Sequence, residues 1–404
     1  MICVIENNNF SLSDVKQTPY ISSWDPKEVA DFHETIGNKK TPLVKLPGLA
    51  KRLGIGSLLL KDESHRFGLN AFKALGASYA MYRQLEKNPQ IKTFCTATDG
   101  NHGRAVAWMA RKLGRKALIY MPQGTISDRV RAIEKEGAEV LLIDQGYDIA
   151  VKMANARVND GNKTSENRSW SLIQDTAWNG YEEVPLDIMR GYWTQAHEIT
   201  KQIGKEKIDV LLLQSGVGSW AASVVIYILK QWQNPPLFIG VEPHSANCLF
   251  ESIKAGHRVS VESNVTTTMA GLNCGSVSTL AWKILKNGLI GSISISDKLS
   301  EEAMKTLACP VLGDPVIISG ESGASGLGAL IGLCKTNKFR TFKEKIYLNN
   351  SSKVLVINTE GDTDPSNYQR VMADNIEKKL IFYSPLNLKC KELRGAHNLM
   401  GGLF

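Results

Sequence analysis

The feature that most restricts the fold is a regular alternation of short apolar segments with longer helical patterns, linked by few residues. In the first half of the chain the apolar segments predict strands at 93–96, 117–121, 139–143 and 171–174, with helices between them at 103–113, 129–136 and 147–158. The second half predicts strands at 209–213, 237–241 and 353–357 and helices at 185–203 and 220–231. Such alternation is typical of α/β proteins whose mainly parallel, twisted sheets are covered by helices.

The length of the chain indicates more than one domain. A chain of 404 residues is too long for one simple core, so two α/β domains are expected. We predict a large domain from residues 1–88 and 186–374 and a small domain from residues 89–185. The first forty residues are polar and predict an arm packed on the surface or on a partner subunit. The tail at 375–404 has mixed composition and stays unassigned.

Composition and charge exclude several classes of protein. With 43% hydrophobic and 22% charged residues the chain is an ordinary globular one, and its net charge of +8 is spread without the basic blocks of nucleic-acid binders. Seven cysteines without short paired spacing predict neither a disulfide framework nor a metal site, and suit a reducing, cytoplasmic compartment. No signal-peptide core is visible, and the uncharged stretch 210–229 is interrupted at 214–219, so no membrane span is expected.

The segment 66–79 passes from a polar loop with a glycine into an apolar run of small residues, which predicts a loop entering a helix. Lys73 follows Phe72 near the start of that helix. The positive end of the helix dipole and the apolar neighbour both disfavour the charged lysine, so we expect a lowered pKa. A lysine that loses its proton can form a Schiff base with an aldehyde. The alternative is a solvated helix lysine.

A loop at 96–104 follows the first strand of the small domain, where open parallel sheets place their ligand sites. Its glycines and the helix start behind it offer backbone N–H groups that suit a carboxylate. The loop carries Thr98, Asp99, Gly100, Asn101 and His102. The alternative is an ordinary capped helix in which Asp99 or Asn101 is the N-cap.

Two further loops follow strands of the large domain. Small residues at 215–219 let N–H groups close on a phosphate at a helix N-terminus. The same residues spell G-x-G-x-x-A, and Glu242 ends the next strand, which is also the local pattern of a dinucleotide site. The loop 358–364 places a hydroxyl and carboxylates after a buried strand, although a surface turn has the same composition.

Taken together, these segments resemble the fold type II, tryptophan synthase β-like, pyridoxal-phosphate enzymes, and most closely the branch that removes ammonia from diamino acids. The matching pieces are spread over most of residues 41–372 and read KDESHRFGLNAFKALGASYA, ATDGNHGRAVAW, IYMP, IQDTAWNGY, GVGSWAA, MAGLNCG, ISGESGASGLGAL and INTEGDTD. The resemblance implies a β-elimination on a small amino acid and a homodimer. A serine or threonine dehydratase of the same fold is the nearest alternative. A nicotinamide-dependent oxidoreductase and a non-catalytic amino-acid-binding protein are more remote.

The resemblance also implies roles for the cofactor-binding residues. Lys73 would hold pyridoxal 5'-phosphate as a Schiff base and then act as a base at the substrate Cα, with Phe72 packed on the pyridine ring. Asn101 would hydrogen-bond the phenolic oxygen, and the hydroxyl of Thr359 would face the ring nitrogen. A hydroxyl there leaves the nitrogen largely unprotonated, which favours prompt loss of a β-substituent over transamination. The phosphate would be held by the backbone of Gly216, Val217, Gly218 and Ser219.

Substrate residues are implied in the same way. Thr98, Gly100 and His102 would line the substrate loop. A carboxylate at Asp99, where the dehydratases have a small hydroxyl residue, suits a substrate that carries a second, β-ammonium group. Asp99 would also serve as an acid or base on the face opposite Lys73. Asp175 resembles the second active-site acid of the family, with the capping of a turn as its alternative.

Overall fold

The computed structural model describes residues 1–20, 25–98, 100–164, 168–262, 267–311 and 313–380, with side chains described to residue 373. Eleven strands are present in these residues: β1 (Ile2–Glu6), β2 (Leu43–Lys45), β3 (Ser57–Asp62), β4 (Thr93–Ala97), β5 (Lys116–Pro122), β6 (Glu139–Ile143), β7 (Trp170–Leu172), β8 (Val210–Gln214), β9 (Leu237–Pro243), β10 (Leu289–Ile295) and β11 (Lys353–Asn358). They form one sheet of seven strands and one of four.

Helices connect and cover these strands. The same residues contain sixteen α-helices: α1 (Leu12–Lys16), α2 (Pro26–Thr35), α3 (Pro47–Leu53), α4 (Lys73–Lys87), α5 (Asn101–Lys112), α6 (Ser127–Glu134), α7 (Tyr147–Lys163), α8 (Glu183–Gly191), α9 (Trp193–Ile203), α10 (Ser219–Gln231), α11 (Cys248–Ala255), α12 (Thr279–Gly288), α13 (Asp297–Ala308), α14 (Glu321–Cys334), α15 (Arg340–Lys345) and α16 (Pro365–Leu380). Helix α16 extends into the segment that the sequence left unassigned.

The two sheets are mainly parallel. The large sheet has the strand order β1-β10-β9-β8-β11-β3-β2, in which only the edge pairs β1/β10 and β2/β3 are antiparallel. The small sheet has the order β6-β5-β4-β7, and its pairs are all parallel. Every residue of β4 and β8 is buried, as expected for strands covered on both faces. The predicted α/β class is confirmed.

The strands of the two sheets fall into the residue ranges that were predicted for the two domains. The four strands of the small sheet fall within residues 89–185 and the seven of the large sheet fall outside them. The domain boundaries themselves stay a prediction. The uncharged stretch 210–229 forms β8 and most of α10, and none of the described helices has the length and apolar character needed to cross a bilayer.

Two local predictions were wrong. Residues 1–40 are not simply an arm, because β1 pairs with β10 along the edge of the large sheet, from Ile2 opposite Ile295 to Glu6 opposite Gly291. The sequence did not predict this pairing, because neither strand shows a clear alternation of buried and exposed residues. Strand β10 is buried along its whole length, and edge strand β1 is only partly buried. The single helix predicted at 185–203 is two helices, α8 and α9, that meet at Tyr192.

The connections after four strands converge at the carboxyl ends of the two sheets. These strands are β3, β4, β8 and β11, which lead through short loops into α4, α5, α10 and α16. Since open parallel sheets bind ligands outside the carboxyl ends of their strands, this edge is where a site is expected.

Candidate active site

One cleft contains every predicted site residue that the structure describes. Its empty volume of about 860 Å³ includes space continuous with solvent. The predicted residues that line it are Phe72, Lys73, Thr98, Gly100, Asn101, His102, Asp175, Gly216, Val217, Gly218, Ser219 and Thr359. Asp99 lies outside the described residues.

Lys73 is the first residue of α4, as the loop-to-helix pattern predicted. The loop before it is unusual, because Phe67 and Asn70 adopt left-handed backbone conformations with φ of 53° and 57°. The N–H of Phe72 then donates to the carbonyl of Thr359 at 3.2 Å. The loop is thus tied to the end of β11, which fixes where the lysine enters the cleft.

The charge state of Lys73 differs from the prediction. Its Nζ donates to Oδ2 of Asp175 at 2.6 Å, and its side chain is 19% exposed. Burial disfavours the charged amine, but the Asp175 carboxylate outweighs burial and holds the lysine pKa above its usual value. The predicted lowering was wrong, since sequence spacing does not show that residue 175, about a hundred positions away, pairs with the amine.

Asp175 is ionised at neutral pH in this arrangement. Burial opposes its charge, yet Lys73 and, less strongly, His102 lower its pKa to about 2. Its backbone carbonyl accepts the hydroxyl of Ser219 at 2.7 Å, which joins the residue to the start of α10. Asp175 therefore presents a fixed negative charge to the cleft and is not a cap of a surface turn.

The loop between β8 and α10 has the features of an anion cradle. In the described part of the chain, the N–H groups of residues 216–219 donate to no other protein group. A Cβ at Gly216 would lie 3.0 Å from the carbonyl oxygen of Gly271, and Gly218 has a φ of 87°. A side chain would be crowded at Gly216 and strained at Gly218, and the N–H groups of this loop lie at a helix N-terminus, where they can bind a phosphate.

The substrate loop caps its own helix through Thr98. The Thr98 hydroxyl accepts the N–H of Gly100 at 2.9 Å and that of Gly103 at 3.1 Å. Asn101 is already the first helical residue, so it is not the N-cap, and Asp99, the other candidate for that position, lies outside the described residues. Its amide instead donates to Oε2 of Glu360 at 2.5 Å.

The remaining predicted residues are buried at the cleft wall. His102 shares a hydrogen bond of 2.7 Å between Nε2 and the carbonyl of Ile173, and burial lowers the pKa of its imidazole. Within the described residues its Nδ1 has no partner. The hydroxyl of Thr359 accepts Nε2 of Gln214 at 3.1 Å.

Glu242, on which the dinucleotide alternative depended, is used elsewhere. It is fully buried and accepts the N–H groups of Leu249 and Phe250, at 2.8 and 2.7 Å, at the start of α11. Burial raises the pKa of its carboxyl to about 8. A carboxyl group that caps a helix inside the core does not reach a ribose, so this pattern carries no nicotinamide site.

Comparison with known proteins agrees with the geometry. Residues 35–360 match the family described as "Pyridoxal-phosphate dependent enzyme". The chain belongs to this family. The diaminopropionate ammonia-lyase of Salmonella typhimurium is 42% identical over 374 residues, which are 85% of this chain and 91% of that protein.

Two further enzymes show how similar this chain is to its relatives. The crystal structure of Escherichia coli diaminopropionate ammonia lyase in complex with an aminoacrylate-PLP azomethine reaction intermediate has a TM-score of 0.85 and 39% identity, covering 93% of this chain and 97% of that chain. An L-threonine dehydratase of Haemophilus influenzae is 30% identical over 297 residues, 74% of this chain and 53% of that protein. The resemblance inferred from the motifs is confirmed.

The described residues fit pyridoxal phosphate, and the predicted cofactor is confirmed by the family. The free N–H groups at 216–219 suit its phosphate, and Lys73 lies in the same cleft for its aldehyde. Phe72 is held against Tyr192 and Trp220, with ring centroids 5.0 and 5.4 Å away. The roles of individual residues stay predictions.

Several cleft residues were not predicted from the sequence. They are Arg129, Tyr147, Gln214, Cys274, Ser322 and Glu360. Cys274, Ser322 and Glu360 stand within motifs that carried the resemblance, so a role for each could have been sought there. Arg129 and Tyr147 stand at or near helix starts, and no local pattern distinguishes them from solvated surface residues.

Proposed function

We propose that this protein is a diaminopropionate ammonia-lyase, which converts D- and L-2,3-diaminopropionate and water into pyruvate and two molecules of ammonia. The observation that carries the proposal is the pair formed by Lys73 and the ionised Asp175 in a cleft that fits pyridoxal phosphate. A fixed carboxylate beside the reacting lysine suits a substrate with a second ammonium group. Identity of 42% to a diaminopropionate ammonia-lyase supports the same activity.

Pyridoxal phosphate, when bound, withdraws electrons from the substrate Cα and makes its proton removable. The amine of Lys73 takes that proton, and the N–H groups at 216–219 hold the phosphate. A β-ammonium group that approaches Asp175 competes with Lys73 for the same carboxylate. Like charge next to the lysine then lowers its pKa, so substrate binding itself favours the neutral amine that a base requires.

Assembly and location follow from the same proposal. We propose a homodimer with the domain boundaries given above, located in the cytoplasm. None of the six cysteines that the structure describes forms a disulfide, which suits a reducing compartment. In that same part of the chain no group of His, Cys, Asp or Glu side chains could hold a metal ion, and our proposal assigns no role to a metal.

The deciding experiment measures kcat/KM for pyruvate formation by the purified holoenzyme on D- and L-2,3-diaminopropionate and on D- and L-serine and threonine. We expect diaminopropionate to be preferred over the hydroxy amino acids by roughly two powers of ten or more, because a charge-assisted contact is made only with the β-ammonium. A preference for serine or threonine would make the protein a dehydratase.

Asp99 is tested in the same assay. We propose that it recognises the β-ammonium and acts on the face opposite Lys73. Asp99→Ser should then lose about two or three powers of ten on diaminopropionate, most strongly on the D isomer, and gain some activity on serine. Unchanged kinetics on both isomers would leave Asp99 without a catalytic role and favour the dehydratase alternative.

A further inference from the structure

Glu360 is a buried carboxylate at the cleft wall for which the proposed reaction has no role. Only 2% of its surface is exposed, and it lies directly after Thr359 at the end of β11. Its Oε1 accepts the N–H of Ser322 at 3.0 Å, and its Oε2 accepts the hydroxyl of Thr363 at 3.1 Å. A third donor, Nδ2 of Asn101, reaches Oε2 at 2.5 Å. A buried carboxylate with these three partners has a defined position.

The surrounding backbone fixes that position further. A Cβ at Gly320 would lie 3.0 Å from Cγ of Glu360, and one at Gly323 would lie 2.6 Å from its carbonyl oxygen. The N–H of Gly320 also donates to this carbonyl at 3.0 Å. Two glycines at the start of α14 thus form a niche that fits the backbone and carboxylate of residue 360. The side chain has little room to move.

The bond to Asn101 crosses between the two sheets. Asn101 starts α5 behind the small sheet, whereas Glu360 follows a strand of the large sheet. A carboxylate only accepts hydrogen bonds, so the amide must turn its nitrogen toward Glu360. Rotation of the amide by half a turn would place its carbonyl oxygen against the carboxylate, and the two would repel. Glu360 therefore sets the orientation of the Asn101 amide.

We propose that Glu360 is a positioning residue that acts through Asn101. The carboxylate takes one N–H of the amide and leaves the other free to point into the cleft, toward the phenolic oxygen of the bound cofactor. The same bond holds the start of α5, and with it the substrate loop, against the end of β11. This inference rests on the cofactor and not on the identity of the amino acid that is turned over.

The test is a double-mutant cycle on cofactor affinity. Cofactor-free wild type, Glu360→Ala, Asn101→Ala and the double variant are titrated with pyridoxal phosphate, followed by absorbance. We expect Glu360→Ala and Asn101→Ala each to weaken binding about tenfold or more. In the Asn101→Ala background, Glu360→Ala should cost less than about twofold further, because its effect passes through the missing amide.

Two more variants separate positioning from general support of the fold. Glu360→Gln keeps an acceptor oxygen and should bind the cofactor with an affinity between those of wild type and Glu360→Ala. Thr363→Val removes a different donor from the same carboxylate and should change the affinity less than about twofold. The wavelength of the bound cofactor's visible band should shift in Glu360→Ala and Asn101→Ala alike, and stay unchanged in Thr363→Val.

Additive losses in the cycle, or normal cofactor affinity in Glu360→Ala or Asn101→Ala, would overturn the inference. If Glu360→Ala does not fold, Glu360→Gln replaces it in both backgrounds, and the same non-additivity is required. Because the readout is cofactor binding, the proposal on Glu360 can fail while diaminopropionate remains the preferred substrate. Equally, a dehydratase would show the same cycle.

Discussion

Two lysines of this protein, Lys61 and Lys73, each form an ion pair with a carboxylate, yet their surroundings differ. Nζ of Lys61 donates to Glu198 at 2.7 Å, to the carbonyl of Thr41 at 2.8 Å and to Gln202 at 2.9 Å, and its side chain is fully buried. An ammonium has three N–H groups, so all its donors are used. Lys73 is partly exposed to a cleft and pairs with Asp175.

The charge environment of the two lysines also differs. Burial is the main influence on Lys61 and lowers its pKa, although Glu63 and Glu198 favour the charge. Arg66 shares both of these carboxylates, with bonds of 2.7 to 2.9 Å. Lys73 is paired with Asp175, whose charge raises the lysine pKa above its usual value. A closed network with every donor used stabilises a fold, whereas a charge pair open to a cleft can exchange partners with a ligand.

The largest expected difference is in catalysis. Lys73→Ala should lower kcat below roughly a ten-thousandth of wild type and remove the absorbance of the lysine-bound cofactor. Lys61→Met, which fills a similar volume, should retain turnover within about threefold. Borohydride reduction of the holoenzyme followed by peptide mapping should label Lys73. Label on Lys61 or another lysine would contradict the distinction drawn between the two.

The second effect is a loss of stability, and we expect it to be larger at the pair formed by Lys61 and Glu198. Glu198→Ala leaves Lys61 without its carboxylate and Arg66 with Glu63 alone, which should lower the free energy of unfolding by about 3–5 kcal/mol. Asp175→Ala removes a side chain from a cleft that water already reaches, so the free energy of unfolding should fall much less. Urea unfolding of both variants in the cofactor-free form measures this. Equal losses would mean that the cleft pair also supports the fold.

A third, smaller effect concerns the charge of the cleft pair. Asp175→Asn keeps the shape of the side chain but removes the charge, so kcat/KM on diaminopropionate should fall by about two powers of ten. Glu198→Gln makes the same exchange in the closed network and should leave kcat/KM nearly unchanged. Steady-state kinetics on both isomers compares them. A matching loss in Glu198→Gln would link the network to catalysis.

The smallest effect is a dependence of stability on pH. Burial opposes the charge of Glu198, but Arg66 and Lys61 outweigh it and lower its pKa from 4.5 to about 2. Its contribution to stability is therefore complete above pH 4.5 and is lost as the pH falls toward 2. Urea midpoints of the cofactor-free protein should fall through this window, with a shallower slope in Glu198→Gln. An identical slope in the variant would mean that other carboxylates dominate.

Much of this protein was determined by its sequence alone. Apolar runs such as 210–213, separated by helical patterns, are sufficient for the α/β class, because strands buried on both faces must be apolar throughout. The loops after β4 and β8 and the loop before α4 were predicted as ligand sites, because glycines and small residues at a helix start leave backbone N–H groups accessible to an anion. The family motifs assigned Lys73 and the phosphate loop to pyridoxal phosphate.

Tertiary structure decided what depends on contacts between distant residues. The raised pKa of Lys73 comes from Asp175, 102 positions away, and the orientation of Asn101 comes from Glu360, 259 positions away. Glu242 has the spacing of a ribose ligand, and only its burial against α11 shows that it is a helix cap. Local patterns record which residues suit a loop or a helix, but the charge and orientation of a side chain are set by its neighbours in space.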